Sequence, residues 1–433
     1  MKPDGKEIQM GEIGSRSTAP NLRMAPVIVV AAAMLVAAFP AFGCSAVYLA
    51  TGDGWLFANN EDWSVSQTYL EITPAKGENH GYVGFWVPVN EAQRGMEWSL
   101  FGGVNDQGLS FDMFSVPPRP IEASGGQDFT FLGAIMERCA TVAEVLEYLK
   151  PDHRSQLYYL QLMYGDALGH SVIIEDAATL RGEDSYQICT NFRQSEFVDR
   201  TIPDYRYNTI ENALGERMML DVGIATSLLA SVAQRAGGVK TVYSYIYDTS
   251  TDELTLYYLA NFREVVRVNV GAEIEKGRHS YHLPSLFSYI TDAQPVDQSE
   301  QGGTAVTFMW SGAPADYTLA WSTDPEFSTA ETVIVCRDDA ETGALAIALL
   351  VPLAVPVVGT TKRRRWLVLL LAATVLVACA HQVPPEPHEI SRDYAYTVEG
   401  FAPGVTYHWR LQTERTPGIV ATFTGGSFTV ASP

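Results

Sequence analysis

Positive charge is what this chain of 433 residues lacks. Lys and Arg total 29 against 50 Asp and Glu, a net charge of −21. A surface that acidic repels phosphate, which argues against a nucleic-acid partner. Cysteine is scarce too, with five residues at 44, 139, 189, 336 and 379. No pair has metal-ligand spacing, and an odd, scattered set does not suggest a disulfide framework. There is no GxSxG elbow, no HExxH, no Gly-rich phosphate loop and no GxGxxG after a strand. His279 and His282 sit three apart, but with Arg278 adjacent and no carboxylate cluster they make a poor metal site. No metal or cofactor is therefore expected. What is present is an ordinary globular composition, 47% hydrophobic and 18% charged, with material for two or three domains.

Two apolar regions stand apart. Residues 27–41 are apolar, preceded by Arg23 and followed by Ala41-Phe42-Gly43 before Cys44. The run is short for a membrane span, and small residues at −1 and −3 suit a signal peptidase. Residues 1–43 therefore read as an export signal whose cleavage leaves Cys44 first. Lipidation of Cys44 and an uncleaved anchor are the competing readings. Farther on, 343–359 and 366–380 flank Lys362-Arg363-Arg364-Arg365, the pattern of a membrane hairpin with a cytoplasmic basic turn. A buried helix pair is the alternative there. The expected location is extracytoplasmic and membrane-associated.

From 44 to 292 strand and helix signals mix without strict alternation, which argues α+β with antiparallel sheets. Short strands are expected at 45–51 and 55–60, around Gly52-Asp53-Gly54, and at 98–103 and 108–114, around Asn105-Asp106-Gln107. Further strands are expected at 158–164, 170–175, 186–190, 242–247, 254–259 and 265–270. Helices are expected at 130–139, 141–149 and 221–235, with Thr141 and Glu144 as a capping box. Residues 293–303 are polar and read as a linker. Evenly spaced strands over 304–431 then suggest a β-sandwich, with 343–380 inserted in one of its loops.

Cys44 carries the chemistry. As residue one it has a free α-amine beside its own thiol. An amine titrating near pH ~8 can take the proton of a thiol near ~8.5, so one residue supplies nucleophile and base. The hairpin returns the chain beside this start at Asn59-Asn60-Glu61-Asp62-Trp63. That places Asp62 to hold the ammonium or thiol.

The motifs NNEDW at 59–63, GGVNDQGLSFD at 102–112, DALGHSVIIE at 166–175, ICTNF at 188–192 and DYRYNT at 204–209 follow Cys44 in order. With that start, the span 44–287 resembles the linear amide C–N hydrolases, the choloylglycine hydrolase and penicillin V acylase group of N-terminal-nucleophile hydrolases. The resemblance implies a four-layer αββα fold and cysteine-dependent cleavage of an N-acyl amide. It implies Cys44 as nucleophile, Asp62 as its orienting acid, Asn191 in the oxyanion hole and Arg206 beside the nucleophile. Asn60 and Ser115 fall at substrate-contacting positions. Two departures stand out. Many members have Arg-Asn-x-Asp where this chain has Asn59 to Asp62, and a second oxyanion asparagine is replaced by Ser115. The stretch 401–411, with Tyr407 and with Trp310 upstream, resembles a fibronectin type III signature.

Each residue also has a plainer reading. Asp62 can end a strand, Asn191 and Asn105 can form turns, and Arg206 can start a helix beside Asp204. Cys139 and Cys189 read as buried thiols. The rival functions are acyl transfer to an amine on the same scaffold and a catalytically silent surface-binding protein. The α-amine is a base only when unblocked. N-terminal sequencing of active protein is therefore expected to return Cys44 first. A fully active chain starting elsewhere would remove the α-amine from the mechanism.

Overall fold

The computed structural model describes residues 43–89, 97–119, 129–182, 185–197, 200–215, 220–235, 238–336 and 391–432. The expected export segment up to residue 42 and the apolar hairpin at 343–380 lie outside the described residues. Among the described residues no helix is long and apolar enough to cross a membrane.

The architecture is mixed and strand-rich. The expected first hairpin is β1 (Ser45–Ala50) and β2 (Trp55–Trp63), with β2 running past the expected end at Asn60. Next come β3 (Tyr69–Thr73), β4 (Tyr82–Val89), β5 (Glu97–Asn105), β6 (Ser110–Ser115), β7 (Leu160–Gly165), β8 (Ser171–Ile174), β9 (Thr179–Arg181) and β10 (Tyr186–Cys189). They are followed by β11 (Lys240–Asp248), β12 (Glu253–Tyr258), β13 (Asn261–Asn269) and β14 (His279–His282). The C-terminal part adds β15 (Thr291–Gln294), β16 (Ser299–Gln301), β17 (Ala305–Gly312), β18 (Tyr317–Ser322), β19 (Glu331–Val335), β20 (Arg392–Glu399), β21 (Thr406–Thr416) and β22 (Ile419–Val430). The helices are α1 (Thr130–Arg138), α2 (Val142–Tyr148), α3 (Pro151–Ser155), α4 (Tyr205–Leu214), α5 (Val222–Val232) and α6 (Val270–Glu275). The capping box of α2 is present: Thr141 Oγ1 accepts the Glu144 amide and Glu144 Oε2 accepts the Thr141 amide.

The largest sheet runs β10-β1-β2-β11-β12-β13-β22-β21-β18-β19, with β16 parallel to β22. A second sheet runs β14-β3-β4-β5-β6-β7-β8-β9. Alternation along the strands sorts the side chains of the large sheet onto two faces. Ala46, Tyr48, Phe57, Tyr243 and Tyr245 turn toward the second sheet and pack with Phe85 and Val104, while Phe111 and Tyr164 stack on its other face. Phe85 bridges the sheets, stacked 4.8 Å from Tyr243 and 4.6 Å from Tyr245. Val47, Leu49, Leu56 and Ala58 turn the other way and are covered by Ile210 and Leu214 of α4 and Leu228 and Leu229 of α5. Helix α1 packs Phe131, Leu132, Ile135 and Met136 on the other face of the second sheet, where Asn105 Nδ2 donates to the Met136 carbonyl.

The C-terminal strands enclose a separate core. A third sheet, β15-β17-β20, faces the far end of the large sheet across Phe308, Trp310, Leu319, Trp409 and Phe428. Trp310 is stacked on Tyr394 at 5.3 Å, and Tyr407 Oη accepts the Ala402 amide.

Two expectations change here. The stretch expected as a linker is built into the fold: β16 pairs with β22, Trp409 Nε1 donates to the Pro295 carbonyl, and the Ser427 amide donates to Asp297. Polar, Pro- and Gly-containing sequence signals a turn, but it does not say whether the backbone then finds a partner. Nor does the sandwich hang from the first part. β13 pairs with β22 through Glu264↔Phe423, Val265↔Thr422 and Val266↔Ala421, so one sheet runs through both.

Trp409 ties this end together. It is fully buried and T-stacked on Phe308 at 5.3 Å, and a Cβ on Gly425 would fall 2.1 Å from its ring. Trp409→Ala should cost about 3–5 kcal/mol and lower the thermal midpoint, whereas Trp409→Phe should lower it less. Equal midpoints for wild type and the alanine variant would show that this core does not hold the fold.

Candidate active site

The site forms where β1 begins. Ser45 pairs with Asn60 across the hairpin, which sets Cys44 beside Glu61. The Cys44 thiol is 6% exposed and lies on the face shared with Ala46 and Tyr48, between the two sheets. Burial pushes it well above the ordinary thiol range. Glu61, Asp62 and Asp112 push in the same direction, and the Asp62 backbone N–H partly offsets them. With Gly43 still attached, this thiol is a poor nucleophile.

Asp62 faces the other way, toward the helices. Its Oδ1 accepts from Thr241 Oγ1 at 2.5 Å and its Oδ2 from Gln234 Nε2 at 2.6 Å. Thr241 and Gln234 also bond to each other, since Gln234 N donates to Thr241 Oγ1 at 2.8 Å and Thr241 N to the Gln234 carbonyl at 2.9 Å. A bulge after Thr241 lets β11 present this hydroxyl. Burial pushes the Asp62 carboxyl up to about 7 against the opposing pull of Thr241, Arg206 and Gln234.

Arg206 is fully buried near the start of α4. Its Nη2 donates to Asp204 Oδ2 at 2.8 Å, its Nη1 donates to the Cys44 carbonyl at 3.2 Å, and Nη1 lies 3.8 Å from Asp62 Oδ2. Both sequence readings of Arg206 therefore meet in one side chain, which pairs with Asp204, the N-cap of α4, and reaches the Cys44 backbone. It is buried because α4 packs across the end of β1.

Asn191 follows β10. Its Nδ2 donates to the Ser115 carbonyl at 2.8 Å. Its Oδ1 is shielded and has no hydrogen-bond partner. A Cβ on Gly43 would fall 1.6 Å from that oxygen, so Asn191 lies directly against the residue preceding the thiol. A primary amide has two N–H groups. One is given to the Ser115 carbonyl, and the atom turned toward Gly43 is Oδ1. Ser115 holds Asn191 through its backbone carbonyl, and its side chain is exposed.

The structure brings Cys44, Asp62, Arg206 and Asn191 around the Gly43–Cys44 peptide. It does not bring Asn60 there. Asn60 is fully buried on the helix face, donating from Nδ2 to the Leu229 carbonyl at 2.9 Å and accepting from Ser244 Oγ at 2.6 Å. The resemblance implied substrate contact there, but alternation turns Asn60 away from the thiol. Asn105 is likewise spent inside the fold, accepting the amides of Gln107 and Leu109. Cys139 and Cys189 are buried free thiols. Among the described residues no group of His, Cys, Asp and Glu could hold a metal ion.

Gln234, Thr241, Glu61 and Asp112 were not singled out from sequence. Glu61 stands inside NNEDW and Asp112 inside GGVNDQGLSFD, so their motifs carried a signal. Gln234 had none, because only the return of α5 to β2 brings it to Asp62.

No protein-family model matches this chain, and no curated protein matches it. Among solved structures, it is similar to a mutant form of a conjugated bile acid hydrolase from Clostridium perfringens. That likeness has 13% identity and a TM-score of 0.41, and it covers 55% of this chain and 96% of the other. At that depth it carries no weight for the chemistry, which rests on the geometry above.

The raised Asp62 pKa has a sign. A carboxyl protonated more easily when folded adds stability that is complete below its ordinary range near pH ~4. That stability is lost as pH rises through about 7. The full effect is on the order of 4 kcal/mol. In protein whose mass shows Gly43 retained, the thermal midpoint should fall between pH 5 and pH 8, and fall less in Asp62→Asn. Identical slopes in the two proteins would mean that Asp62 is not the titrating group.

Proposed function

We propose that this chain is a cysteine amidase that cleaves a linear, non-peptide C–N bond, with Cys44 as its N-terminal nucleophile. The observation that carries the reading is the convergence on Gly43 and Cys44 of Gln234, held by Asp62, on the Gly43 carbonyl, Arg206 on the Cys44 carbonyl and Asn191 against Gly43. In this reading the Cys44 sulfur attacks the carbonyl of an N-acyl amide. The second N–H of Asn191 steadies the oxyanion. The C–N bond breaks, the nitrogen leaves with a proton, and the acyl group stays on sulfur as a thioester. Water then attacks the thioester, its proton passing to the Cys44 α-amine, and the acid is released.

The packing of helices and two sheets supports the four-layer αββα arrangement that the sequence resemblance implies. The Tyr407 to Ala402 bond and the buried Trp310 support a fibronectin type III-like reading of the C-terminal sandwich. Export, membrane association through 343–380 and a small N-acyl amide partner belong to the same proposal and rest on sequence.

A panel of N-acyl amides with the full-length protein tests it. Turnover is expected, with an acyl adduct found by mass on Cys44, and Cys44→Ser should be nearly inactive. Asn191→Ala should lose on the order of 10²–10³ in turnover with folding unchanged. Hydrolysis that survives Cys44→Ala would sink the assignment. Gly43→Leu is not a clean processing block, because its Cβ would displace Asn191 as well.

A further inference from the structure

The acid that faces the thiol is not Asp62. Asp62, Gln234 and Arg206 grip the backbone around Cys44 from the helix side. The sulfur points into the space between the sheets, where the Glu61 carboxyl lies against it. Glu61 is 1% exposed, and its Oε2 is buried with no hydrogen-bond partner. Asp112 of β6 faces the same space, fixed by the Tyr245 hydroxyl at 3.1 Å and the Met113 amide at 2.7 Å. Arg206, the cation at this site, is engaged with Asp204, Asp62 and the Cys44 carbonyl. A buried carboxyl with an unused oxygen beside a nucleophile is placed to move a proton.

Resting on the amidase reading above, we propose that Glu61 exchanges the thiol proton during the reaction. As the S–C bond forms, the S–H bond breaks and an O–H bond forms on Glu61. As the C–N bond breaks, that O–H bond breaks and the departing nitrogen gains the proton. No other reactant is needed. Asp112 makes the carboxylate a stronger base, since two buried carboxyls this close do not both ionise easily. The titratable groups facing Glu61 are Cys44 just before β1, Asp112 from β6, and Tyr243 and Tyr245 from β11, with Asp62 adjacent on its own strand but turned to the helix side.

Two measurements on the full-length protein test this. In the first, Glu61→Gln should lower kcat by about 10²–10⁴ with KM little changed and should abolish the acid limb of the pH profile. Glu61→Asp should recover part of kcat, and Asp112→Asn should move the acid limb to lower pH. An intact kcat and acid limb in Glu61→Gln would overturn the proposal while leaving the amidase assignment standing. The second measurement, iodoacetamide labelling of Cys44 against pH, needs no substrate. Removing a facing carboxylate should move the thiol's titration to lower pH in Glu61→Gln. An unmoved titration would overturn the proposal whether or not any amide is hydrolysed.

Discussion

The pairing of Ser45 with Asn60 is the constraint from which the site follows. It fixes which residues of β2 share a face with the thiol. With this register, Glu61 meets the sulfur and Asp62 meets Gln234, Thr241 and Arg206. A shift of one residue would exchange the two carboxyls and bring Asn60 to the thiol side. The register is held from both faces: Phe57 is locked between the sheets, and Leu56 and Ala58 are locked under the helices. The chemistry is thus fixed by hydrophobic sorting along nine residues of one strand.

Burying this much acid is unfavourable unless something answers it. On the helix side, Asp62 is answered by a hydroxyl, an amide and a guanidinium. On the other face, Asp112 has a phenol and a backbone amide, while Glu61 keeps an oxygen with no partner. The asymmetry separates the roles of the two faces. One positions the start of the chain and is saturated with bonds. The other is left with unmet capacity, and it is the face on which the Cys44 sulfur lies.

Much of this was legible in the sequence, and what was not has a physical cause. Cys44, Asp62 and Arg206 stand in local patterns that survive folding: a strand start, a strand end and a helix start. The strand β4 carried no clear signal, because Gly84 and Pro88 interrupt the alternation that marks a half-buried strand. Asn60 lies away from the thiol because positions two apart in a strand share a face, which puts it with Asp62 on the helix side. Gln234 reaches Asp62 across 172 positions, which no local pattern encodes. Ser115 looked like a lost side chain, yet the group in use there is a carbonyl, which any residue supplies.

The C-terminal sandwich shares a sheet with the part that holds Cys44 rather than being strung from it. Glu264 shows how firm the join is. Its buried carboxyl accepts the amides of Ser288 and Tyr289, at the turn where the chain leaves one core for the next. Arg415 of β21 donates to the Phe287 carbonyl in the same corner. Arg263 of β13 donates to the carbonyls of Thr424 and Gly425 and lies over Phe423 at 4.8 Å. These bonds leave little freedom between β13 and β22. Since β13 is linked through β12 and β11 to β2, backbone pairing runs unbroken from the sandwich to the strand that carries Asp62. The sandwich is therefore more than an appendage, because it closes the sheet edge that would otherwise stand open beside β13.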